Sequence, residues 1–393
     1  MAEGLSQFLD NLRGDVAGRP TGRTREKKTF VGMGWKEDVF RFHVARCLKI
    51  EDKNTGAVLP WGPLLVENQP QMRLLYMLMQ ALQSGNPARF LILKNRKVGM
   101  STAIEMLMLS IAMQCAEITC GLIAHTDEST AKLFSMIRNA YENLPVDTRR
   151  QLPLRINNES KIQFGNKELE KIQAGELGHV ARILSRTAAG SYPFTGDTVR
   201  VLHMSECAKF DSVGDFAAQQ RFILSALGAV PKVGGSLVIC ESTANGQQGW
   251  FYETWRKATE NISVAGVNWI PIFIPWMDDP TCRAYVPEGY DWDRWYPEDR
   301  ATELELIRKY KCGLEQLMFR RNVIETEMNG VFELFDQEFP TTAEGAFLAS
   351  GRPAVPRRYI KAMESNISHD YERYTARVVD GYQTALTYTV EDQ

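Results

Sequence analysis

A short apolar run, Phe90-Leu91-Ile92-Leu93, breaks into the polar stretch Lys94-Asn95-Arg96-Lys97-Val98-Gly99-Met100-Ser101-Thr102 and resumes as a mostly apolar segment of helical length from about 103 to 115. Strand, polar loop, buried helix is the order a phosphate-binding loop requires, and it constrains the fold more than any other feature of the chain. Further runs of strand character recur at about 119–124, 180–185, 199–204, 235–240 and 268–274, with helical patterns between several of them. This alternation predicts an α/β fold: a mainly parallel sheet covered by helices on both faces, with ligands at the carboxyl ends of the strands.

The loop itself keeps half of the usual G-x-x-x-x-G-K-[ST] pattern. Lys94 stands where the first glycine belongs and Met100 where the lysine belongs, while Gly99 and Ser101 are in register. Taken alone, it is also an ordinary polar turn. Its position says more, because Lys94, Arg96, Lys97 and Ser101 surround Gly99 at a helix N-terminus, where unpaired amides and the helix dipole favour an anion. From the front of the loop, the Lys94 side chain is able to fold back over β and γ phosphates.

Two later strand ends carry complementary chemistry. Val199-Arg200-Val201-Leu202-His203-Met204 delivers Ser205-Glu206, where a nucleotide-hydrolysing strand usually ends in Asp-Glu. Glu206 is a candidate to orient or deprotonate an attacking water, and Ser205 to hold a Mg²⁺-bound water without neutralising the metal. An ordinary strand-end glutamate is the alternative. Ser236-Leu237-Val238-Ile239-Cys240 runs into Glu241-Ser242-Thr243-Ala244-Asn245-Gly246, polar residues placed to sense a γ-phosphate, or else a simple Asn-Gly turn.

Together the three strand ends resemble a known family. Residues Lys94 to Thr102, His203 to Ala208 and Glu241 to Phe251 resemble the Walker A, Walker B and coupling motifs of tailed-phage terminase large subunits, in which a front-shifted lysine and a Ser-Glu ending occur. Gly121-Leu122-Ile123-Ala124-His125-Thr126, the helical stretch from Ala131 to Asn143 ending at Leu144-Pro145, and Glu338-Phe339-Pro340-Thr341-Thr342-Ala343-Glu344-Gly345-Ala346-Phe347 are similar too, so the resemblance covers about residues 60 to 350.

The resemblance implies a RecA/ASCE-like P-loop ATPase using ATP and Mg²⁺, with Glu206, Lys94 and Arg96 catalytic. It implies that nucleotide is bound by Lys94, Asn95, Arg96, Lys97, Val98, Gly99, Met100, Ser101 and Thr102, with Gln71, or Gln69 in a shifted register, contacting adenine. Ser101 and Ser205 would serve Mg²⁺, in part through water, and Ser242, Thr243, Ala244, Asn245 and Gly246 would couple hydrolysis to movement. It further implies double-stranded DNA, a portal protein and a small terminase subunit as partners, a five-membered ring on a capsid, and the cytoplasm of a host bacterium. Another DNA translocase or helicase shares such a core, and a degenerate nucleotide-binding scaffold is suggested by Met100 and Ser205.

In domain terms the chain divides into an N-terminal arm and helix (1–55), an ATPase core (56–275), a lid or linker subdomain (276–350) and a linker toward a nuclease domain (351–393). The third part opens with a stretch rich in Pro, Trp, Tyr and Asp and continues with helical patterns over 301–330, and helical spacing also marks 36–50 and 69–83. Arg13, Arg19, Arg23, Arg25, Lys27 and Lys28 mark the first thirty residues as a flexible basic arm. No nuclease activity is expected, because Glu364, Asp370, Glu372, Asp380, Glu391 and Asp392 are strung through a short segment, whereas a two-metal site needs carboxylates within about 4 Å of both ions.

Composition limits the partners. The net charge of −2 gives no overall cationic field, so any DNA contact rests on local patches or a face assembled across subunits. The seven cysteines include no CxxC pair, which argues against a zinc site or a disulfide framework and for a reducing compartment.

Overall fold

A computed structural model describes residues 2–18, 35–52, 55–188, 192–213, 216–260, 269–349, 374–377 and 387–390. Its centre is an eight-stranded sheet built from β1 (Ala88–Lys94), β2 (Thr119–Ala124), β3 (Leu154–Asn157), β4 (Lys161–Phe164), β5 (Arg182–Thr187), β6 (Val201–Ser205), β7 (Leu237–Ser242) and β8 (Trp269–Ile274). The spatial order is β8-β1-β7-β6-β2-β5-β4-β3. Strands β8 through β5 in that order pair in parallel, and β4 and β3 add an antiparallel hairpin at the edge. The expected mainly parallel α/β sheet is therefore present. The edge hairpin is an addition to it, each of its strands being only four residues long.

The loop strand and the acidic strand are not neighbours; β7 lies between them, the strand order of the RecA/ASCE-like P-loop class. Strand alternation then sorts the side chains. Phe90, Ile92, Val201, Leu237 and Ile239 belong to one buried cluster, and Leu91, Leu93, Leu202, Met204, Val238 and Cys240 to the cluster on the opposite face. Counting on by two along each strand puts Lys94, His203, Ser205 and Glu241 on the first face.

That face is covered by α1 (Gln69–Gln83) and α2 (Met100–Gln114). Helix α1 starts where the Asn68 side chain accepts the Gln71 backbone N–H at 3.0 Å, and it buries Met72, Leu75, Met79 and Leu82 along one stripe. Helix α2 is apolar on nearly every side, as a helix wedged between sheet and outer helices must be. Of the polar residues in its first turns, Ser101, Thr102 and Glu105, the first and last are four residues apart and so on the same side.

The first thirty residues are not all a flexible arm. Ala2–Val16 form a helix whose Leu5, Phe8, Leu9, Leu12 and Val16 recur at helical spacing and pack into the core, leaving Arg13 outside. The helical expectation over 36–50 is also shortened: Glu37–Phe42 and a wide turn, His43–Cys47, give way to a small hairpin, Lys49–Glu51 with Val58–Pro60. Arg19, Arg23, Arg25, Lys27 and Lys28 lie outside the described residues. So does most of the expected linker 351–393 with all six of its acids, although Tyr374–Arg377 and Thr387–Val390 pair as an antiparallel hairpin.

After β8 the chain enters α3 (Arg300–Tyr310), α4 (Leu314–Thr326), α5 (Phe332–Glu338) and α6 (Ala343–Ala349). Trp276, Leu306, Leu317, Ile324, Phe335 and Phe339 form a third apolar cluster there. No described helix is long and apolar enough to cross a membrane.

Candidate active site

The loop between β1 and α2 is shaped by residues far from it in sequence. Asn95 N–H donates to the Ile274 carbonyl at 3.1 Å, Arg96 N–H donates to the Glu338 carbonyl at 2.8 Å, and Asn95 Nδ2 donates to Asp279 Oδ2 at 3.2 Å. Lys97 and Gly99 adopt left-handed backbone angles, φ 62° and 80°. At Gly99 a Cβ would sit 2.3 Å from the Gln71 amide nitrogen, so this glycine serves both the turn and a close approach. Gln71 Nε2 donates to the carbonyls of Val98 and Gly99 at 3.2 and 2.9 Å, pulling them toward α1. In this arrangement Gln71 is a loop-holding residue, while Gln69 lies exposed.

Behind the loop, three strand ends converge on a buried charge cluster. Lys94 Nζ lies 2.8 Å from Glu206 Oε1 and 3.0 Å from Glu241 Oε2. Glu241 Oε1 accepts from the hydroxyls of Ser101 and Ser205, each at 2.7 Å. Ser205 and Glu241 are direct partners in the β6–β7 register, which is why their side chains meet. One layer deeper, His203 Nδ1 bonds Glu105 Oε1 of α2 at 2.6 Å, and its Nε2 lies 3.5 Å from Glu241 Oε1.

The electrostatics follow from burial and mutual charge. Burial alone would lower the Lys94 pKa, but Glu206 and Glu241 outweigh it and raise it above the ordinary lysine value. Burial likewise pushes Glu241 up, and Lys94 and His203 then hold it well below the carboxylate range. Glu206 is also lowered, burial being overcome by Lys94 with help from Lys209, whose Nζ is 3.1 Å from Oε2. For His203 the carboxylates of Glu105 and Glu241 overcome burial and raise the pKa to about 9. Glu105 is raised, burial exceeding the effect of the imidazole beside it.

The run from Ser242 to Gly246 touches Glu206 directly. Ser242 Oγ, Thr243 N–H and Thr243 Oγ1 approach Glu206 Oε2 at 3.4, 3.4 and 3.5 Å, the Ala208 N–H donates to Ser242 Oγ at 3.2 Å, and Asn245 Nδ2 donates to the Ala208 carbonyl at 3.2 Å. Ala244 is buried beside them, and Gly246 takes a left-handed φ of 79°. Glu206 itself has φ 54°, the sharp turn that ends β6.

Of the residues singled out from sequence, the structure gathers Lys94, Ser101, Ser205, Glu206, Ser242 and Thr243 around one point. Met100 is instead a core residue, 1% exposed, and cannot reach toward solvent as the lysine of the usual pattern would. Arg96 is outside the cluster: its side chain is 56% exposed, with Nη1 3.5 Å from Glu338 Oε2. Thr102 turns toward the Met136 sulfur at 3.9 Å, and Lys97 is exposed on the loop. From sequence, Glu241 figures only at the head of the polar run after β7's apolar residues and His203 only within the Walker B-like strand, neither with a role of its own, and Glu105 is not singled out; a glutamate following four apolar strand residues, and a histidine inside an apolar strand, are the signals for the first two.

Sheet order and the loop between β1 and α2 together define an α/β domain with a P-loop fold. No protein-family model matches the chain, and no curated protein does. Among solved structures it is similar to the large terminase ATPase domain of Thermus phage P74-26, at 16% identity and a TM-score of 0.38, covering 62% of this chain and 89% of that one. It is also similar to the large terminase of bacteriophage HK97, at 14% identity and a TM-score of 0.45, covering 77% of this chain and 54% of that one. A third is the large terminase of a thermophilic bacteriophage in complex with ADP, at 13% identity and a TM-score of 0.36, covering 55% of this chain and 46% of that one. The chain thus spans about half the length of the latter two proteins.

Proposed function

We propose that this chain hydrolyses ATP to ADP and phosphate and is the ATPase part of a tailed-phage terminase large subunit, driving double-stranded DNA into a capsid. The observation that carries the hydrolytic reading is the Lys94 ammonium held 2.8 Å from Glu206 at the floor of the loop. A polyphosphate entering the loop competes for that ammonium. As Lys94 turns to the phosphates, Glu206 loses the partner that most depresses its basicity and becomes able to orient and deprotonate water. Ser242 and Thr243, bonded to the same carboxylate, register the change and pass it to the segment ending at Gly246.

Mg²⁺ fits the donor set, which is made of oxygen: the Ser101 hydroxyl at the first turn of α2 beside a fully buried carboxylate. When bound, it would neutralise charge on the phosphate oxygens, held to the protein by Ser101. Arg96, Asn95, Lys97 and the amides up to Thr102 form the nucleotide cradle in this reading, with Gln71 bracing it from α1. Residues 276–349 act as a lid on that cradle, an assignment supported by the bond from Arg96 to Glu338.

The two departures that suggested a degenerate scaffold each have a substitute nearby: Lys94 for the lysine absent at 100, and a carboxylate on β7 for the one absent at 205. The motor context rests on the motif resemblance. It brings with it a portal protein, a small terminase subunit, a ring of five copies and the host bacterial cytoplasm. ATP turnover by wild type and Glu206→Gln, each with and without double-stranded DNA, tests the reading. Turnover that is stimulated by DNA and lost in the variant supports it; absence of any turnover in the wild type, or an unchanged rate in the variant, overturns it.

A further inference from the structure

We propose that Glu241 is the carboxylate through which this chain balances the Mg²⁺ of its nucleotide, the acid having moved from the end of β6 to the directly paired position on β7. The inference rests on the ATPase reading above. Its grounds are geometric. A P-loop hydroxyl and a strand-end acid ordinarily meet at the metal, and in this chain the P-loop hydroxyl, Ser101, donates to Glu241 at 2.7 Å. The residue at the ordinary place of the acid, Ser205, donates to the same oxygen at 2.7 Å and so orients the substitute.

Register makes the exchange possible. Ser205 and Glu241 are directly paired across β6 and β7, so their side chains leave the same face of the sheet side by side. Glu241 is also one methylene longer than aspartate, which suits an acid reaching from the neighbouring strand. It is fully buried, and a buried carboxylate survives only when several groups compensate it. Lys94 at 3.0 Å does so from the loop side and His203, held by Glu105, from below. With Lys94 turned to phosphate, Glu241 would lose a cation, and its carboxylate, with the Ser101 hydroxyl bonded to it, would supply the negative charge that balances a Mg²⁺ held there.

The test is the affinity of a fluorescent ADP analogue with Mg²⁺ and with EDTA, for wild type, Glu241→Gln and the exchange variant Ser205→Asp/Glu241→Ser. Wild type is expected to bind about tenfold or more tightly with Mg²⁺. Glu241→Gln is expected to bring the two affinities within about twofold while metal-free binding is kept, and the exchange variant to recover the Mg²⁺ preference. Should Glu241→Gln fail to fold, Ser205→Ala, which leaves every buried charge in place, carries the test: a Mg²⁺ preference reduced a few-fold supports the proposal, and an unchanged one overturns it.

A folded Glu241→Gln with an undiminished Mg²⁺ preference, an exchange variant that recovers none, or a wild type that binds equally well in EDTA overturns the proposal while leaving the ATPase reading standing. A wild type that binds no nucleotide under either condition overturns both.

Discussion

Two regions of this molecule bury charge, and they do it differently. In the helical part after β8, Arg320 forks onto Asp299, with Nη2 to Oδ1 at 2.8 Å and a second, shorter bond to Oδ2. Arg321 forks onto Glu303 at 2.8 and 2.6 Å while its guanidinium lies 4.8 Å from the ring centroids of both Trp292 and Trp295. Each cation has its own carboxylate and the planar fork is filled. At the strand ends, by contrast, Lys94 is shared by two carboxylates, and Glu241 is shared by Lys94, Ser101, Ser205 and the more distant His203. One-to-one bidentate pairing fixes helices against each other; shared pairing lets one partner be exchanged for another without unfolding the site. Perturbed, multiply coupled groups at strand ends are therefore where chemistry is to be sought.

If that contrast is right, substitutions in the two regions separate activity from stability. The largest effect is expected for Glu206→Gln, which keeps shape but cannot accept a proton: turnover should fall by about 10² to 10⁴ while nucleotide still binds and the melting temperature hardly moves. A rate within a few-fold of wild type would remove Glu206 from the chemistry. Next comes Arg321→Ala, which strands the buried Glu303 carboxylate. It should cost about 3–5 kcal/mol of stability with turnover per folded molecule retained, as denaturant melts and active-fraction titration would show. Loss of turnover in fully folded Arg321→Ala would mean that the helical part takes part in chemistry and is more than a staple.

Lys94→Ala and Lys97→Ala form the finer comparison, both on one loop. Lys94 is 6% exposed between two acids and Lys97 lies on the outside, so the Lys94 variant should lose at least about tenfold more turnover than the Lys97 variant, a gap near 1.4 kcal/mol in barrier. A larger loss at Lys97 would show that the loop is read in the wrong register and that the cluster behind it is a staple like the other.

Local chemistry was legible in the sequence, and lateral pairing was not. Helix Gln69–Gln83 and strand Thr119–Ala124 fall where apolar spacing puts them, because each pattern is contained within its own segment. Lys94, Ser101 and Glu206 stand out as candidates because each sits in a recognisable local order of strand, loop and helix or of strand and turn. Glu241 stands in the strand-end polar run, yet its place at the centre of the charge cluster is not legible, for a physical reason. The strand was expected to stop at Cys240 and runs on to Ser242, and no local pattern tells that position 241 on one strand lies beside 205 on another. The hold of Glu338 on Arg96 is likewise a contact between distant segments. Arg13 and the basic residues after it drew attention from the apolar stripe of Ala2–Val16, whose five members are spaced along a helix and contribute to the core.

A third way of burying a titratable group gives the smallest expected effect. His43 is buried with its Nδ1 2.8 Å from the Ser110 hydroxyl, a neutral partner, and among the described residues no carboxylate pairs with it. Burial lowers its pKa from 6.5 to about 4, opposite in direction to His203, whose carboxylate neighbours raise it. The sign follows from proton counting. Below the unfolded value of 6.5 the unfolded chain takes up a proton that the folded chain refuses, so the stability that His43 supplies is complete above about pH 6.5 and declines as pH falls toward 4. Between pH 7 and 5.5 the loss should be about 1 kcal/mol. Chemical denaturation of wild type and His43→Gln at both pH values isolates it: the wild type should lose about 1 kcal/mol more than the variant, and parallel losses would show that His43 is not held neutral, so that an uncharged hydroxyl partner does not distinguish it from the carboxylate-paired His203.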